Sequence, residues 1–132
     1  MPNFHHIGLF VKDINYGLEE INKIISVKDI GEIIVDDLLL VNVLFVTDHD
    51  GIRYELVSPN GIGNPVDSVL NSKKNILNHI AFTSKNFDFD ILNLRNSGCL
   101  PLGTPKKAKA FEGSQIIFFL TPLGFIYELI ER

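Results

Sequence analysis

Two histidines and two glutamates stand at a repeated spacing in the sequence. His6 precedes Glu55 by 49 residues, and His79 precedes Glu128 by the same number. Imidazole nitrogens together with carboxylate oxygens suit one divalent transition metal (Ni, Co, Zn, Mn or Fe), and four protein ligands leave two places for water or substrate oxygens. The spacing therefore favours a metal site built from two equivalent pairs.

Side-chain alternation along the predicted strands places these four residues on one face. Glu55 and Glu128 point away from the Tyr and Leu residues beside them, and His6 and His79 point away from the aliphatic residues of their strands. A single histidine or glutamate on a strand is more often a packed or solvated side chain than a ligand. A carboxylate within an apolar strand is unfavourable unless its charge is compensated. Because both pairs share one face, a metal site is the better explanation.

The two pairs belong to an internal repeat with an offset of 73 residues. Matching residues at this offset are His6-Ile7 and His79-Ile80, Lys12 and Lys85, Phe45 and Phe118, Gly51 and Gly124, and Tyr54-Glu55-Leu56 and Tyr127-Glu128-Leu129. Apolar positions follow the same offset where the residues differ. Two copies are too few for a stacked solenoid, so we expect two related modules.

Each copy predicts strands and one amphipathic helix in the order βαβββ, which is an α+β fold. In the first copy, periodicity predicts strands at 4–11, near 32–35, at 40–47 and at 52–58, with a helix from Asp13, its cap, through Ile25. In the second copy it predicts strands at 77–84, near 100–103, at 114–120 and at 125–131, with a helix at 87–97.

The organisation that follows is one domain made of two modules. The first module covers residues 1–58, a linker with one short helix covers 59–75, and the second module covers 76–132. Neither module can bury both faces of its strands alone, so we expect one larger curved mixed sheet. Helices would cover one face of the sheet, and the concave face would hold the metal and the substrate.

Composition excludes several classes of function. The chain has 132 residues, of which 45% are hydrophobic, and a net charge of −4, which argues for a folded domain and against a nucleic-acid-binding surface. No apolar run approaches the roughly 18 residues of a membrane span. We expect a soluble, cytoplasmic protein with no membrane partner. Cys99, the one cysteine, is predicted to be a packing residue.

Four segments together resemble the vicinal oxygen chelate superfamily, which includes glyoxalase I and methylmalonyl-CoA epimerase. FHHIGLFVKDI is similar to its opening strand and helix start, RYELVSP to its first closing strand, LNHIAF to its second opening strand, and GFIYELIER to its C-terminal segment. The resemblance covers nearly the whole chain. It implies the fold in which two βαβββ modules form one sheet with a metal site.

The resemblance also implies a chemistry and a role for each ligand. The metal ligands carry over onto His6, Glu55, His79 and Glu128, where a divalent metal would stabilise an enolate or enediolate of a carbonyl or thioester substrate. Glu128 or Glu55 would move the proton. This ligand set is most like bacterial glyoxalase I, since the epimerases tend to have Gln where Glu55 stands. The segments 58–72 and 103–119 look closer to the epimerases. The resemblance also implies a homodimer.

Other polar residues have weaker signals. Asn42, its repeat equivalent Gln115, and Lys107 are candidates for the lining of a substrate cleft, through hydrogen bonds or contact with an anionic tail. His5 has the wrong strand parity for a ligand, and His49 falls in a turn. The alternative to an enzyme is a non-catalytic protein of the same fold that sequesters a small molecule, such as an antibiotic.

Overall fold

The computed structural model describes residues 1–61 and 77–132. Most of the predicted linker at 59–75, including its short helix, lies outside the described residues. The two described helices are α1 (Ile14–Ile24) and α2 (Phe87–Asn96). The strands are β1 (Asn3–Phe10), β2 (Val27–Ile30), β3 (Ile34–Asp36), β4 (Val41–Asp48), β5 (Arg53–Pro59), β6 (Leu77–Ser84), β7 (Leu100–Pro101), β8 (Lys106–Lys107), β9 (Gln115–Leu120) and β10 (Ile126–Glu131).

These ten strands form one mixed sheet, which confirms the predicted α+β fold class. By its internal contacts the chain divides into two compact units. The first unit is His6–Asn78, and the second unit is His79–Arg132 together with Met1–His5. Within the described parts of the chain, neither helix is long and apolar enough to span a membrane.

The first unit has its core between α1 and the strands β4 and β5. Helix α1 begins after Asp13, whose carboxylate accepts a hydrogen bond of 2.7 Å from the backbone N–H of Tyr16, an N-cap that satisfies one of the unpaired donors of the first turn. The apolar stripe of α1 packs on side chains that alternate along the two strands. The buried members of this core are Ile14, Ile21, Leu44, Val46 and Leu56. The predicted helix-covered face of β5 is thus confirmed at Leu56.

The second unit repeats this arrangement with α2, β9 and β10. Its buried core consists of Phe87, Cys99, Ile117, Phe119 and Leu129. Cys99 is a buried free cysteine whose burial raises the pKa of the thiol, so the prediction of a packing residue is confirmed. At the start of α2, the Ser84 hydroxyl donates a hydrogen bond to the buried carboxylate of Asp90.

Each half of the chain contains one short strand more than the sequence predicts. The helix α1 ends at Ile24, and β2 follows it before Gly31, whereas periodicity extends the helix to Ile25. Ile25 already has an extended backbone. Most side chains of β2 and both side chains of β8 are exposed, so these strands have no buried face that would produce alternation.

Candidate metal centre

The first predicted pair lies on two parallel strands of the first unit. Strand β5 runs parallel to β1 with Glu55 in register with Gly8, so His6 precedes that position by two residues on the same face. The Nε2 atom of His6 lies 3.5 Å from Oε1 of Glu55. His6 is 0% exposed and Glu55 is 5% exposed. Parallel pairing therefore brings together two residues that are 49 positions apart in sequence.

The second pair has the same construction in the second unit. Strand β10 runs parallel to β6 with Glu128 in register with Ala81, two residues after His79. The Nε2 atom of His79 lies 3.1 Å from Oε1 of Glu128. Both side chains are 2% exposed. The internal repeat is thus preserved in strand register as well as in sequence.

The four side chains fit a divalent cation. One ligand atom from each of His6, Glu55, His79 and Glu128 lies within 4.8 Å of the others, and all four residues are buried. Metal bonds to nitrogen and oxygen are about 2.0–2.2 Å long, so ligand atoms around one ion lie at most about 4.4 Å apart. Small side-chain movements would close this difference. Two buried carboxylates this close are unfavourable without a compensating positive charge.

The histidine of each pair is in contact with a phenylalanine ring. The rings of Phe45 and His6 meet edge to face with centroids 5.4 Å apart, and the rings of Phe118 and His79 do so at 5.5 Å. Sequence reasoning did not assign these phenylalanines to the site. The identity of Phe45 and Phe118 at the repeat offset was the signal that could have found them.

Two predicted cleft residues lie on the other face of their strands. Along β4, Asn42 alternates in phase with Leu44 and Val46, which pack in the core with α1, and out of phase with Phe45. Along β9, Gln115 alternates in phase with Ile117 and Phe119 in the second core. Strand parity therefore does not support a cleft role for either amide.

The remaining polar predictions concern exposed or edge positions. Lys107 is exposed on β8, in register with Gln115 of β9. The ring of His5 packs edge to face against Phe111, with centroids 5.6 Å apart. His49 is exposed in the turn between β4 and β5, where Asp48 accepts backbone hydrogen bonds from Asp50 and Ile52. The turn chemistry predicted around His49 is confirmed.

Comparison with solved structures shows the fold of this chain in other proteins. A hypothetical protein from Bacillus halodurans matches 99% of the chain with 94% of its own length, at 20% identity and a TM-score of 0.83. Methylmalonyl-CoA epimerase from Mycobacterium tuberculosis aligns with 98% of this chain over 87% of its own length, at 18% identity and a TM-score of 0.78. A variant of the Streptomyces coelicolor methylmalonyl-CoA epimerase, in complex with 2-nitronate-propionyl-CoA, aligns with 98% of this chain over 96% of its own length. The identity is 23% and the TM-score is 0.75.

Sequence comparison gives the family. No curated protein matches the chain. The family model described as Glyoxalase/Bleomycin resistance protein/Dioxygenase superfamily matches residues 5–118. That range includes three of the four predicted ligands, His6, Glu55 and His79, and most of both repeats. The chain belongs to the Glyoxalase/Bleomycin resistance protein/Dioxygenase superfamily, as the resemblance to the vicinal oxygen chelate proteins predicts.

Proposed function

We propose that the protein is a metal-dependent lyase or isomerase that moves a proton on a carbon next to a carbonyl group. The observation that carries this proposal is the set of four buried ligand residues, His6, Glu55, His79 and Glu128, whose ligand atoms lie within 4.8 Å of one another. A protein that used this face only for packing would gain nothing from two buried carboxylates. Members of this family catalyse several reactions on one scaffold. The proposed reaction therefore has to be supported by the residues of the site and not by the fold.

The four ligand residues have two roles in the proposed reaction, metal binding and proton transfer. His6 and His79 hold the cation through Nε2, the atom that faces the carboxylate in each pair. A bound divalent cation supplies Lewis-acid stabilisation of the negative charge that develops on a carbonyl oxygen. Glu128 or Glu55 takes the proton from the adjacent carbon and returns it. Gly8 and Ala81, in register with the two glutamates, place no bulky side chain beside either carboxylate.

The substrate class we propose is an acyl-CoA thioester, with a glutathione hemithioacetal as the competing substrate. Support for the thioester comes from the methylmalonyl-CoA epimerases among the similar structures, one of which holds 2-nitronate-propionyl-CoA. Support for the hemithioacetal comes from the ligand set, because Glu55 makes it resemble glyoxalase I. Both reactions need the same kind of proton transfer, so one metal site and one base would serve either substrate.

One experiment separates these substrates. The protein, loaded with Co²⁺ or Ni²⁺, is incubated in D₂O with methylmalonyl-CoA, and exchange at the α-carbon is followed by NMR. Turnover of the methylglyoxal–glutathione hemithioacetal is measured in parallel. Exchange that requires the metal supports the epimerase type, and turnover of the hemithioacetal supports the glyoxalase type. Metal binding without either reaction would contradict both substrate assignments and point to a different substrate.

A matched variant shows whether the proposed base is responsible. Glu128→Gln keeps the shape of the side chain and removes its charge and basicity, and it is assayed at saturating metal because Glu128 is also a proposed ligand. Glu131→Gln makes the same change in the same strand, three residues away, where alternation puts the side chain on the opposite face. Loss of exchange or turnover in the first variant, and not in the second, supports the proposed role of Glu128. Equal activity in both variants would contradict it.

A further inference from the structure

Each predicted metal-binding histidine has an aromatic neighbour at an equivalent place. The interplanar angle is 77° for Phe45 and His6, and 71° for Phe118 and His79. Both pairs therefore have the T-shaped arrangement that aromatic rings favour. The contacts recur in two units that differ at many other positions, for example where Val11 and Gly17 of the first unit correspond to Ser84 and Asp90 of the second.

The layout of the strands makes this contact informative. Phe45 is in register with Glu55 on the neighbouring strand, and His6 lies on the strand beyond it. The backbones of strands that are two positions apart in a sheet are separated by about 9.5 Å. The ring centroids of Phe45 and His6 are only 5.4 Å apart, so the two side chains lean toward each other. They meet over the strand that carries the glutamate. In the second unit, Phe118 is in register with Glu128, and the same leaning brings it to His79.

The phenyl ring has no hydrogen-bond donor or acceptor, so it constrains the imidazole by contact alone. Each imidazole is bounded by the ring on one side, and its Nε2 faces the carboxylate at 3.5 Å or 3.1 Å. An imidazole held in this way loses little rotational freedom when a cation binds.

We propose that Phe45 and Phe118 are positioning residues that hold the imidazoles of His6 and His79 in the orientation that binds the metal. This inference rests on the proposed function, since it assigns a role toward the same cation. It makes the site a pair of three-residue units, Phe–Glu–His, each built on three neighbouring strands. The phenylalanines contact the two ligand histidines.

Adjacent phenylalanines in β9 provide a matched test. Phe118 faces the ligands, whereas Phe119 is 0% exposed in the core with Leu129. Co²⁺ affinity is measured by titration calorimetry on Phe118→Leu and on Phe119→Leu, with the melting temperature of each. We expect Phe118→Leu to weaken Co²⁺ binding about three- to tenfold, the loss of one ring contact. Phe119→Leu should lower the melting temperature and leave the affinity within twofold of the wild type.

The conservative variant completes the test. Phe118→Tyr keeps the ring, so it should bind Co²⁺ as the wild type does, and a loss equal to that of Phe118→Leu would overturn the proposal. Unchanged affinity in Phe118→Leu would also overturn it. If Phe118→Leu does not fold, Phe45→Leu replaces it, with Leu44→Val, on the opposite face of β4, as the control. A wild-type protein that binds no Co²⁺ would instead contradict the proposed function.

Discussion

The Nε2 atom of His79 lies 3.1 Å from Oε1 of Glu128, on parallel strands whose register puts the glutamate opposite the second residue after the histidine. The same register joins His6 to Glu55. A histidine facing a glutamate is by itself an ordinary contact between polar residues. Its repetition at a 73-residue offset, with all four side chains buried, supports the proposal of a shared cation that compensates the charges.

The first prediction concerns activity. Glu128→Gln removes a negative ligand and a base in one change, so we expect turnover of the substrate identified by the exchange assay to fall about 10²- to 10⁴-fold. Stopped assays at saturating metal measure kcat. Saturation excludes weaker metal binding as the cause of the loss. Turnover that stays within threefold of the wild type would show that another group moves the proton.

The second prediction concerns alkaline pH. Burial raises the pKa of Tyr127 to about 12, with smaller contributions from Asp90 and Cys99. A tyrosine in the unfolded chain titrates near 10, so above that pH the unfolded state loses a proton that the folded state keeps. The stabilisation is complete below pH 10 and is lost as the pH rises toward 12.

Tyr127→Phe tests this sign directly. Between pH 9 and pH 11.5 the free energy of unfolding in urea should fall less in the variant than in the wild type, by about 1 kcal/mol once solvent screening of the half-buried ring is allowed for. All other titrating groups are common to both proteins. Parallel pH curves for the two proteins would contradict the prediction.

The third prediction concerns packing between α1 and Val11, the residue that follows β1. A Cβ atom on Gly17 would lie 2.9 Å from Cγ1 and 3.0 Å from Cγ2 of Val11, and the β-branched valine has little rotamer freedom to retreat. Alanine ordinarily stabilises a helix interior by about 1 kcal/mol relative to glycine. Here we expect the clash to outweigh that gain and Gly17→Ala to lower the free energy of unfolding by about 1–3 kcal/mol.

Relief of the clash provides the control for this change. Val11→Ala removes both methyl groups that the new Cβ would meet, so the double variant Val11→Ala/Gly17→Ala should show a favourable coupling energy relative to the sum of the two single changes. Urea unfolding curves of all four proteins measure it. A stabilising effect of Gly17→Ala alone would show that the helix moves to accept the methyl group.

Much of the fold follows from local periodicity. The strand predicted at 77–84 agrees with β6 at both ends, and the helix predicted at 87–97 ends one residue late. In both elements buried positions alternate with less buried ones, which is the condition under which periodicity is readable. β2 lacks that condition because Lys28, Asp29 and Ile30 are exposed. Its pairing with β4 depends on contacts distant in sequence.

The site could be predicted where the repeat and strand parity act together. His6 and Glu55 were identifiable because their residue types recur and their strands alternate. The aromatic contacts of Phe45 and Phe118 could not be derived, because they cross an intervening strand and depend on the order of strands in the sheet. The same parity applied to β4 puts Asn42 on the face opposite Phe45, so alternation gives no support to its role in a cleft.

Metal stoichiometry tests the central claim most directly. Titration calorimetry of the metal-free protein with Ni²⁺ or Co²⁺, followed by elemental analysis of the loaded protein, counts the ions bound per chain. We expect one ion per chain in the wild type and in Glu131→Gln, and none retained in Glu55→Gln or His79→Ala. A wild-type protein without stoichiometric metal, or the same stoichiometry and affinity after either substitution, would contradict the assignment of the four residues as one metal site.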